Sequence, residues 1–245
     1  MIRFYCPDLS PETDNCMLPE SDSRHCVRVL RMRLGDYIEA VDGRGNVYKC
    51  RIVDDSPKRT LLKVEEYRCE PKFWKESITV AVAPTKLMDR MEWLVEKLTE
   101  IGVDRIVPIL CRRSERRELK HERLEKIAVS AMKQSLKTTL PVVEPMTPLK
   151  EFLKECELNP SVQKFMGYCD SLTQRKLLAR AYTPGSDVAI LIGPEGDFSP
   201  EEVSEAVKCG FVPVSMGDNR LRTETAALVG ADTIHIVNQI FSTEK

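Results

Sequence analysis

The pattern of hydrophobic and polar residues changes along the chain, and its first part is typical of β-strands. Strands are predicted at IRFYC, at DYIEAVDGRGNVYKCRIVDD on both sides of the turn at residues 42–45, and at RTLLKVEEYR. Between them, SRHCVRVLRMRLGD carries Val27, Leu30 and Leu34 at helical spacing, which predicts a helix that ends at Gly35. Roughly the first seventy residues should therefore form a small β-rich module.

After a linker, CEPKFWKES (69–77), the pattern becomes one of strands alternating with helices. The predicted strands are ITVAVAP, DRIVPIL, PVVEPM, QKFMGYC, DVAILIG and FVPVSMG. The predicted helices are KLMDRMEWLVEKLTEIG, ERLEKIAVSAMKQSLK, LKEFLKECE, PEEVSEAVKCG and TETAALVGADTIHIVNQIF. In the first of these helices the apolar stripe consists of Leu87, Met91, Leu94, Leu98 and Ile101. Such alternation predicts an α/β domain with a parallel sheet.

The amino-acid composition indicates which classes of protein this chain can belong to. The chain has 245 residues, of which 42% are hydrophobic and 31% charged, as in soluble globular proteins. No apolar run approaches the roughly 20 residues that span a bilayer, and the N-terminus has no apolar signal region. The nine cysteines form no CxxC pair and there are only three histidines, so we expect no metal site, no disulfide framework and a cytoplasmic location.

Charge is balanced overall but uneven locally. The net charge of −1 argues against general nucleic-acid binding. Two basic patches could still hold a phosphate backbone at a defined place, although a solvated surface of mixed charge would have the same sequence. The first patch consists of Arg24, His25, Arg28, Arg31 and Arg33. The second consists of Arg112, Arg113, Arg116, Arg117, Lys120 and Arg123.

Two loops follow predicted strands, at the position where open α/β sheets bind ligands. In LIGPEGDFSPEE, Gly193 and Gly196 permit a sharp turn and a close approach of a ligand to the backbone. Ser199 as N-cap, with Pro200 and then Glu202, predicts a capping box that begins a helix. The spacing fits neither a dinucleotide-binding nor a P-loop pattern, and a plain strand–helix connection with an exposed carboxylate is the simpler interpretation of this loop alone.

The second loop, MGDNRLRTETAAL, leads into the last predicted helix. Arg220 and Arg222 share a face if the segment is extended. Thr223 or Thr225 can cap the helix, and Glu224 falls in its first turn, where the helix dipole favours an acid. Surface arginines beside an ordinary cap are the alternative interpretation.

Five segments, in this order and spacing, resemble the RsmE family of 16S ribosomal RNA (uracil-N3)-methyltransferases. They are HCVRVLRMRLGD, VDGRG, KLMDRMEWLVEKLTEIGVDRIVP, LIGPEGDFSPEEV and MGDNRLRTETAAL. The resemblance covers essentially the whole chain, and GPEG together with LRTETA is its most specific part. The segment 132–143 is looser, because Lys137 stands where the family usually has an arginine-containing stretch, so its RNA contacts are not inferred.

The resemblance implies an α/β fold with two domains. Residues 1–72 would form a PUA-like RNA-binding β-barrel and residues 73–245 a SPOUT methyltransferase domain with a C-terminal trefoil knot. The cofactor would be S-adenosyl-L-methionine, without a metal. The partners would be the 16S rRNA of the small ribosomal subunit and a second copy of the chain, without a membrane.

The resemblance also implies roles for individual residues. The cofactor would contact Leu191, Ile192, Gly193, Pro194, Glu195, Gly196, Met216, Gly217, Leu221, Thr223, Thr225 and Ala226. RNA would contact Arg24, His25, Arg28, Arg31, Arg112, Arg113, Arg116 and Arg117. The candidates for catalysis are Arg222 and Arg220, which would stabilise negative charge, and Glu195 and Glu224, which would orient the site or accept a proton.

Two other functions remain open at this point. Another SPOUT-type RNA methyltransferase would share the fold and cofactor but methylate a ribose or a tRNA base. A non-catalytic RNA-binding protein for ribosome assembly would keep the fold without the reaction. The intact glycines of both loops favour a working cofactor site over the second alternative.

Overall fold

The protein is described here by a computed structural model that covers residues 3–168 and 176–241. These residues divide into two compact units. The first contains the residues up to Phe73 together with Val129–Leu140, and the second contains Trp74–Ala128 and the residues from Pro141 onward. The domain boundary between residues 72 and 73 stays a prediction, and the sequence did not indicate that Val129–Leu140 belongs with the first unit.

The first unit is built on a five-stranded sheet with the order β1-β3-β4-β5-β2. Its strands are β1 (Arg3–Tyr5), β2 (Asn15–Met17), β3 (Tyr37–Val41), β4 (Asn46–Asp54) and β5 (Leu61–Cys69). β1 pairs parallel to β3, while the remaining neighbours are antiparallel. All the strands predicted in this part of the chain are confirmed, and the short strand β2 was missed.

The helical segment of the first unit is shorter than predicted. It consists of α1 (Glu20–Arg24) and a π-helical turn, His25–Val29. The helix does not continue to Gly35, because Arg31 takes a left-handed conformation with φ of 59°. Leu34 is consequently 66% exposed rather than buried, and the prediction that it lies on the apolar face of a helix was wrong.

The second unit is built on a parallel sheet with the strand order β11-β13-β10-β12-β6-β7-β8, in which β9 also pairs with β7. Its strands are β6 (Ile78–Val82), β7 (Arg105–Leu110), β8 (Val142–Val143), β9 (Thr147–Pro148), β10 (Gln163–Gly167), β11 (Lys176–Leu177), β12 (Val188–Ile192) and β13 (Val212–Ser215). The helices that follow α1 are α2 (Met88–Ile101), α3 (His121–Gln134), α4 (Leu149–Glu157), α5 (Leu178–Ala181), α6 (Pro200–Lys208) and α7 (Thr223–Phe241). The predicted alternation of strands and helices is confirmed.

The middle of this sheet is apolar on both faces. Every residue of β12 is buried, as expected for a strand covered on both sides in a parallel sheet. The predicted stripe of α2 is correct for Met91, Leu94 and Leu98, which are fully buried, but Leu87 precedes the helix and is 55% exposed. The helix ends at Gly102 as predicted. There φ is +99°, and a Cβ atom would lie 2.5 Å from the ring of Trp74.

The turn between β3 and β4 depends on one buried acid, Asp42, which is 2% exposed. Its carboxylate accepts hydrogen bonds from the backbone N–H groups of Arg44 and Asn46, at 2.8 and 3.2 Å, and from the Asn46 amide at 2.7 Å. Burial alone would raise the pKa of Asp42, but these bonds and the nearby Arg44 guanidinium together hold the pKa below its ordinary value of 3.8.

The variant Asp42→Asn should be less stable at neutral pH by about 1–3 kcal/mol, since the amide nitrogen that replaces Oδ2 cannot accept the bond from the Asn46 side chain. The pKa of Asp42 is lower in the folded chain than in the unfolded chain. The ionised group therefore stabilises the fold above about pH 4, and that contribution is lost as the pH falls through the folded pKa. Urea unfolding from neutral to acid pH should show a weaker pH dependence in the variant. The exposed Asp8→Asn serves as control, and a variant as stable as the native chain would contradict this role.

Candidate functional site

A cavity of about 370 Å³ lies at the carboxyl ends of three strands that are neighbours in the sheet, β12, β10 and β13. Both loops singled out in the sequence contribute to it. Its walls are formed by Gly167, Tyr168, Ile192, Gly193, Pro194, Glu195, Asp197, Val214, Ser215, Met216, Gly217, Asn219, Arg220, Leu221, Arg222, Thr223 and Ala226. Parallel strands end at one edge of a sheet, which is why two loops distant in sequence share one cavity.

The first loop packs on its own aromatic residue. Phe198 is buried, and a Cβ atom at Gly193 would lie 2.9 Å from its ring, so a larger residue at position 193 would have to displace that ring. A Cβ atom at Gly196 would come no closer than 3.6 Å to Arg113. The left-handed residue of the loop is Asp197, with φ of 59°, whose N–H donates to the carbonyl of Pro194 at 2.9 Å. The sharp turn thus occurs at an aspartate.

The predicted capping box at the start of α6 is confirmed. The backbone N–H of Glu202 donates to Ser199 Oγ at 3.3 Å, and the backbone N–H of Ser199 donates to Glu202 Oε2 at 2.8 Å. Glu202 Oε1 also accepts the backbone N–H of Arg112 at 2.7 Å. The far end of the first loop is therefore fixed by three bonds.

Arginines of the second basic patch also hold the loops of this unit. Arg113 Nη1 donates to the carbonyls of Gly196 and Phe198, at 2.9 and 3.3 Å. Arg116 donates to the carbonyls of Thr85 and Lys86, at 3.2 and 2.6 Å. Arg112 forms an exposed ion pair with Glu201. Three of the four arginines expected to contact RNA here thus already have partners within the protein, while Arg117 is exposed.

The second loop is tied to the first by one buried hydrogen bond, from Thr223 Oγ1 to the carbonyl of Gly193 at 3.2 Å. Gly217 allows the turn that begins the second loop, with φ of +116°. Arg220 and Arg222 are exposed on the wall of the cavity, and among the described residues neither forms an ion pair. The structure therefore leaves two guanidinium groups available beside a cavity whose walls include Ile192 and Leu221.

Glu224 lies away from the cavity wall. It occupies the first turn of α7, as predicted, but its side chain is buried, at 7% exposure. Its Oε1 lies 3.4 Å from Arg90 Nη1, and its Oε2 has no hydrogen-bond partner among the described residues. Leu191, Gly196 and Thr225 were also expected at the site, and they are not among the cavity-lining residues.

Sequence reasoning missed the third strand end. Gly167 and Tyr168 line the cavity at the end of β10, in the predicted strand QKFMGYC. A Cβ atom at Gly167 would lie 2.8 Å from Ile192, so this glycine permits the close packing of the two strand ends. The segment carried no loop motif, and the order of strands in a sheet cannot be deduced from alternation alone.

The first basic patch is exposed on the first unit. The side chains of Arg24, His25, Arg28 and Arg31 are all accessible to solvent. Arg24 forms an ion pair with Glu20, one turn earlier. The His25 ring packs edge-on against the Phe4 ring, with 6.4 Å between the ring centroids. Arg28 and Arg31 form no ion pair among the residues that the structure describes.

Metal-ligating clusters and membrane-spanning helices are both missing from the described residues. Within 3–168 and 176–241, no group of three or more His, Cys, Asp or Glu side chains is placed to hold a metal ion. In the same part of the chain, no helix has the length and apolar character needed to cross a membrane.

Two models of known protein families match the chain, one in each of its two parts. Residues 73–235 match the model of an RNA methyltransferase domain, and residues 18–65 match that of an RNA methyltransferase PUA domain. The first match alone covers more than half of the 245 residues.

Solved structures and curated relatives are similar to this chain over most of its length. The structure of a probable rRNA-methyltransferase from Porphyromonas gingivalis is 44% identical, with a TM-score of 0.91, and the match covers 98% of this chain and 100% of that one. The structure of a ribosomal RNA small subunit methyltransferase E from Neisseria gonorrhoeae bound to S-adenosyl methionine is 28% identical, with a TM-score of 0.81, and 97% and 98% of the two chains are covered. The ribosomal RNA small subunit methyltransferase E of Bacillus subtilis is 28% identical over 86% of this chain and 85% of its own.

These matches confirm the fold class. A PUA-like N-terminal part precedes an α/β methyltransferase domain of the SPOUT class, as the motifs implied. The cavity therefore lies within the part of the chain that the RNA methyltransferase model covers.

The contrast between the two glycines of the first loop can be tested by substitution. Gly193→Ala should lower the free energy of unfolding by about 1–3 kcal/mol, because the new methyl group must displace the buried Phe198 ring. Gly196→Ala, which meets no close contact, is the matched control and should stay within about 0.5 kcal/mol of the native chain. Chemical denaturation of both variants measures the difference, and equal destabilisation would contradict the packing argument.

Proposed function

This chain belongs to the RNA methyltransferase family, and we propose that it methylates N3 of a specific uridine in the 16S rRNA of the small ribosomal subunit, with S-adenosyl-L-methionine as methyl donor. The observation that carries the proposal is the joining of the GPEG and LRTETA loops into one cavity, with Arg220 and Arg222 on its wall. The relatives that share nearly the full length of the chain are named for action on small subunit rRNA.

The cavity suits a cofactor of this kind. Its volume of about 370 Å³ falls in the range of small-molecule pockets, and its wall combines apolar side chains such as Ile192 and Leu221 with polar and charged ones. Residues 216–221 belong to no helix or strand, so their N–H and C=O groups lie outside the sheet ladder and can bind an adenine or a ribose. The residues proposed to hold the cofactor are Ile192, Gly193, Pro194, Glu195, Met216, Gly217, Leu221, Thr223 and Ala226. The cofactor supplies an electrophilic methyl group on a sulfonium.

The protein must make uracil N3 nucleophilic and align it. N3 carries a proton and lies on the Watson–Crick edge, so the target base must be unpaired or extruded from its stack. Arg222 and Arg220 are exposed beside the cavity and would stabilise the negative charge that develops on uracil O2 or O4. Glu195, also exposed on the wall, is the candidate to accept the N3 proton.

Glu224 has a different proposed role because it is buried. It lies directly after Thr223, which binds the first loop, and it pairs with Arg90 on α2. We place it as a positioning residue that fixes the start of α7, and hence the direction of Arg222, rather than as a group that touches the base.

Substitutions in the cavity test the reaction itself. Arg222→Ala should lower kcat for methyl transfer to 16S rRNA by about 10²–10³-fold, the usual loss when a group that stabilises transition-state charge is removed. Glu195→Ala should lower it by about 10²-fold or more if the carboxylate accepts the proton. Transfer of labelled methyl groups gives the rates, and mass mapping of the rRNA identifies the product.

The control is Lys208→Ala, an exposed cation on α6 outside the cavity, which should keep full activity. Full activity in both cavity variants would refute the assigned roles. A native protein that binds no S-adenosylmethionine in calorimetry would instead favour a non-catalytic RNA-binding protein, and a methyl group on ribose or on another base would favour a different RNA specificity.

RNA binding outside the cavity is assigned to exposed cations. Arg28 and Arg31 of the first unit are exposed without an ion pair among the described residues, so they can bind phosphates without losing an internal partner. Arg24 and His25 extend this surface, and Arg117 is an exposed candidate of the second patch. Arg112, Arg113 and Arg116 would contribute to RNA binding only through the charge that remains exposed.

Charge reversal tests this surface. Arg28→Glu combined with Arg31→Glu should weaken binding to 16S rRNA and lower the slope of log affinity against log salt by about 1.4, because each of the two phosphate contacts accounts for roughly 0.7 of that slope. Binding of S-adenosylmethionine should be unchanged, because both residues lie in the first unit. Filter binding over a series of salt concentrations provides the slope, with Lys58→Glu as an exposed control in the same unit. An unchanged slope would remove Arg28 and Arg31 from the RNA surface.

We further propose that the protein works as a homodimer in the cytoplasm. Large apolar side chains remain exposed on α2 and α7, two helices that pack against each other. They are Trp93 on α2, at 40%, and Ile236, Ile240 and Phe241 on α7, at 47%, 68% and 66%. Exposure of this kind favours burial against a second copy.

A further inference from the structure

A second cleft lies beside the cavity at the same edge of the sheet. It has a volume of about 740 Å³ and is lined by Lys176, Leu177, Arg180, Ser215, Gly217 and Asp218. Two of these residues, Ser215 and Gly217, also line the cavity. The cleft and the cavity are therefore separated by the carboxyl end of one strand, β13.

The sheet topology explains this position. β11 pairs parallel to β13, with Lys176 opposite Val214 and Leu177 opposite Ser215. Its carboxyl end consequently points to the same edge as the strand ends that form the cavity. The short helix α5 follows directly and brings Arg180 to the cleft, three residues after Leu177.

The cleft carries two cations that form no ion pair with any described residue. Lys176 and Arg180 are exposed, and within residues 3–168 and 176–241 neither forms an ion pair or a side-chain hydrogen bond. Arg105 of the same unit, by contrast, pairs with both Glu144 and Glu155. Asp218 is exposed and is the one acid among the described residues of the cleft, whose two cations and one carboxylate give a net charge of +1.

We propose that this cleft binds a phosphate of the substrate RNA, next to the nucleotide whose base enters the cavity. The proposal rests on the proposed function and adds to it a contact that fixes the RNA strand at the reaction site. Arg180 presents a planar fork of donors that matches two phosphate oxygens, and Lys176 adds a point charge. Ser215 can donate its hydroxyl to the same group.

The position of the cleft favours RNA over the cofactor as the source of the anion. A nucleotide whose base is extruded into a pocket leaves its backbone at the rim, and the neighbouring phosphates then lie against the adjacent surface. The cleft is open to solvent and next to the cavity, so an RNA strand that crosses the end of β13 can reach it. The carboxylate of the cofactor is the alternative anion, and it is distinguished below.

The experiment measures the affinity of the full chain for RNA after its cations or its acid are removed from the cleft, and the two changes should have opposite effects. Lys176→Ala combined with Arg180→Ala should weaken binding of 16S rRNA roughly fivefold or more and lower the salt slope by about 0.7, the value for one phosphate contact. KM for RNA should rise while kcat changes little, because the contact forms before and during the reaction. Asp218→Asn should have the reverse effect and tighten RNA binding about twofold, since it removes the only anion among the described residues that line the cleft. Lys208→Ala is the control and should match the native chain.

The outcomes separate this proposal from the proposed function. If the native chain methylates 16S rRNA but the double variant keeps the native affinity and slope, the phosphate site is refuted. If Asp218→Asn weakens binding as the double variant does, the residues only support the fold and the proposal fails. If calorimetry shows that the double variant loses affinity for S-adenosylmethionine, the cleft serves the cofactor, and the proposal is again overturned. Native protein without methyl transfer would refute the proposed function itself.

Discussion

The parallel register of β10, β12 and β13 is the constraint on which the site depends. Because neighbouring parallel strands begin and end together, the loops that follow them must converge at one edge of the sheet. The bond from Thr223 to the Gly193 carbonyl then fixes the two loops to each other, and the third strand ends at Gly167, where a Cβ atom would lie 2.8 Å from the end of the Ile192 side chain. Residues separated by tens of positions thereby line one cavity.

The arginines around the cavity differ in the partners that they already have within the protein. Arg113 and Arg116 donate to backbone carbonyls and hold loops in place, so their charge is used for structure. Arg220 and Arg222 have no such partners in the described part of the chain and are free to meet a ligand. An arginine whose N–H groups already donate to backbone carbonyls has fewer donors left for a phosphate. Local sequence does not reveal this division, because both groups look equally basic.

Much of this architecture could be predicted from the sequence, because local signals decide it. The helix start at Ser199 and the helix end at Gly102 follow from side-chain capping and from a positive φ, which depend on neighbours in the chain. The failures have nonlocal causes. The helix expected to reach Gly35 ends earlier, where Arg31 turns left-handed, and Glu224 is buried through its contact with Arg90, a residue of another helix. The contribution of β10 to the cavity depends on strand order, which alternation does not encode.

The packing of Phe198 against Gly193 has a consequence for how this loop can evolve. A larger side chain at position 193 must displace the ring at position 198, so its cost should fall if the side chain at position 198 becomes smaller at the same time. Positions 193 and 198 are therefore expected to vary together among related sequences. A loop constrained in this way is already ordered before any ligand arrives, and little conformational entropy remains to be lost on binding.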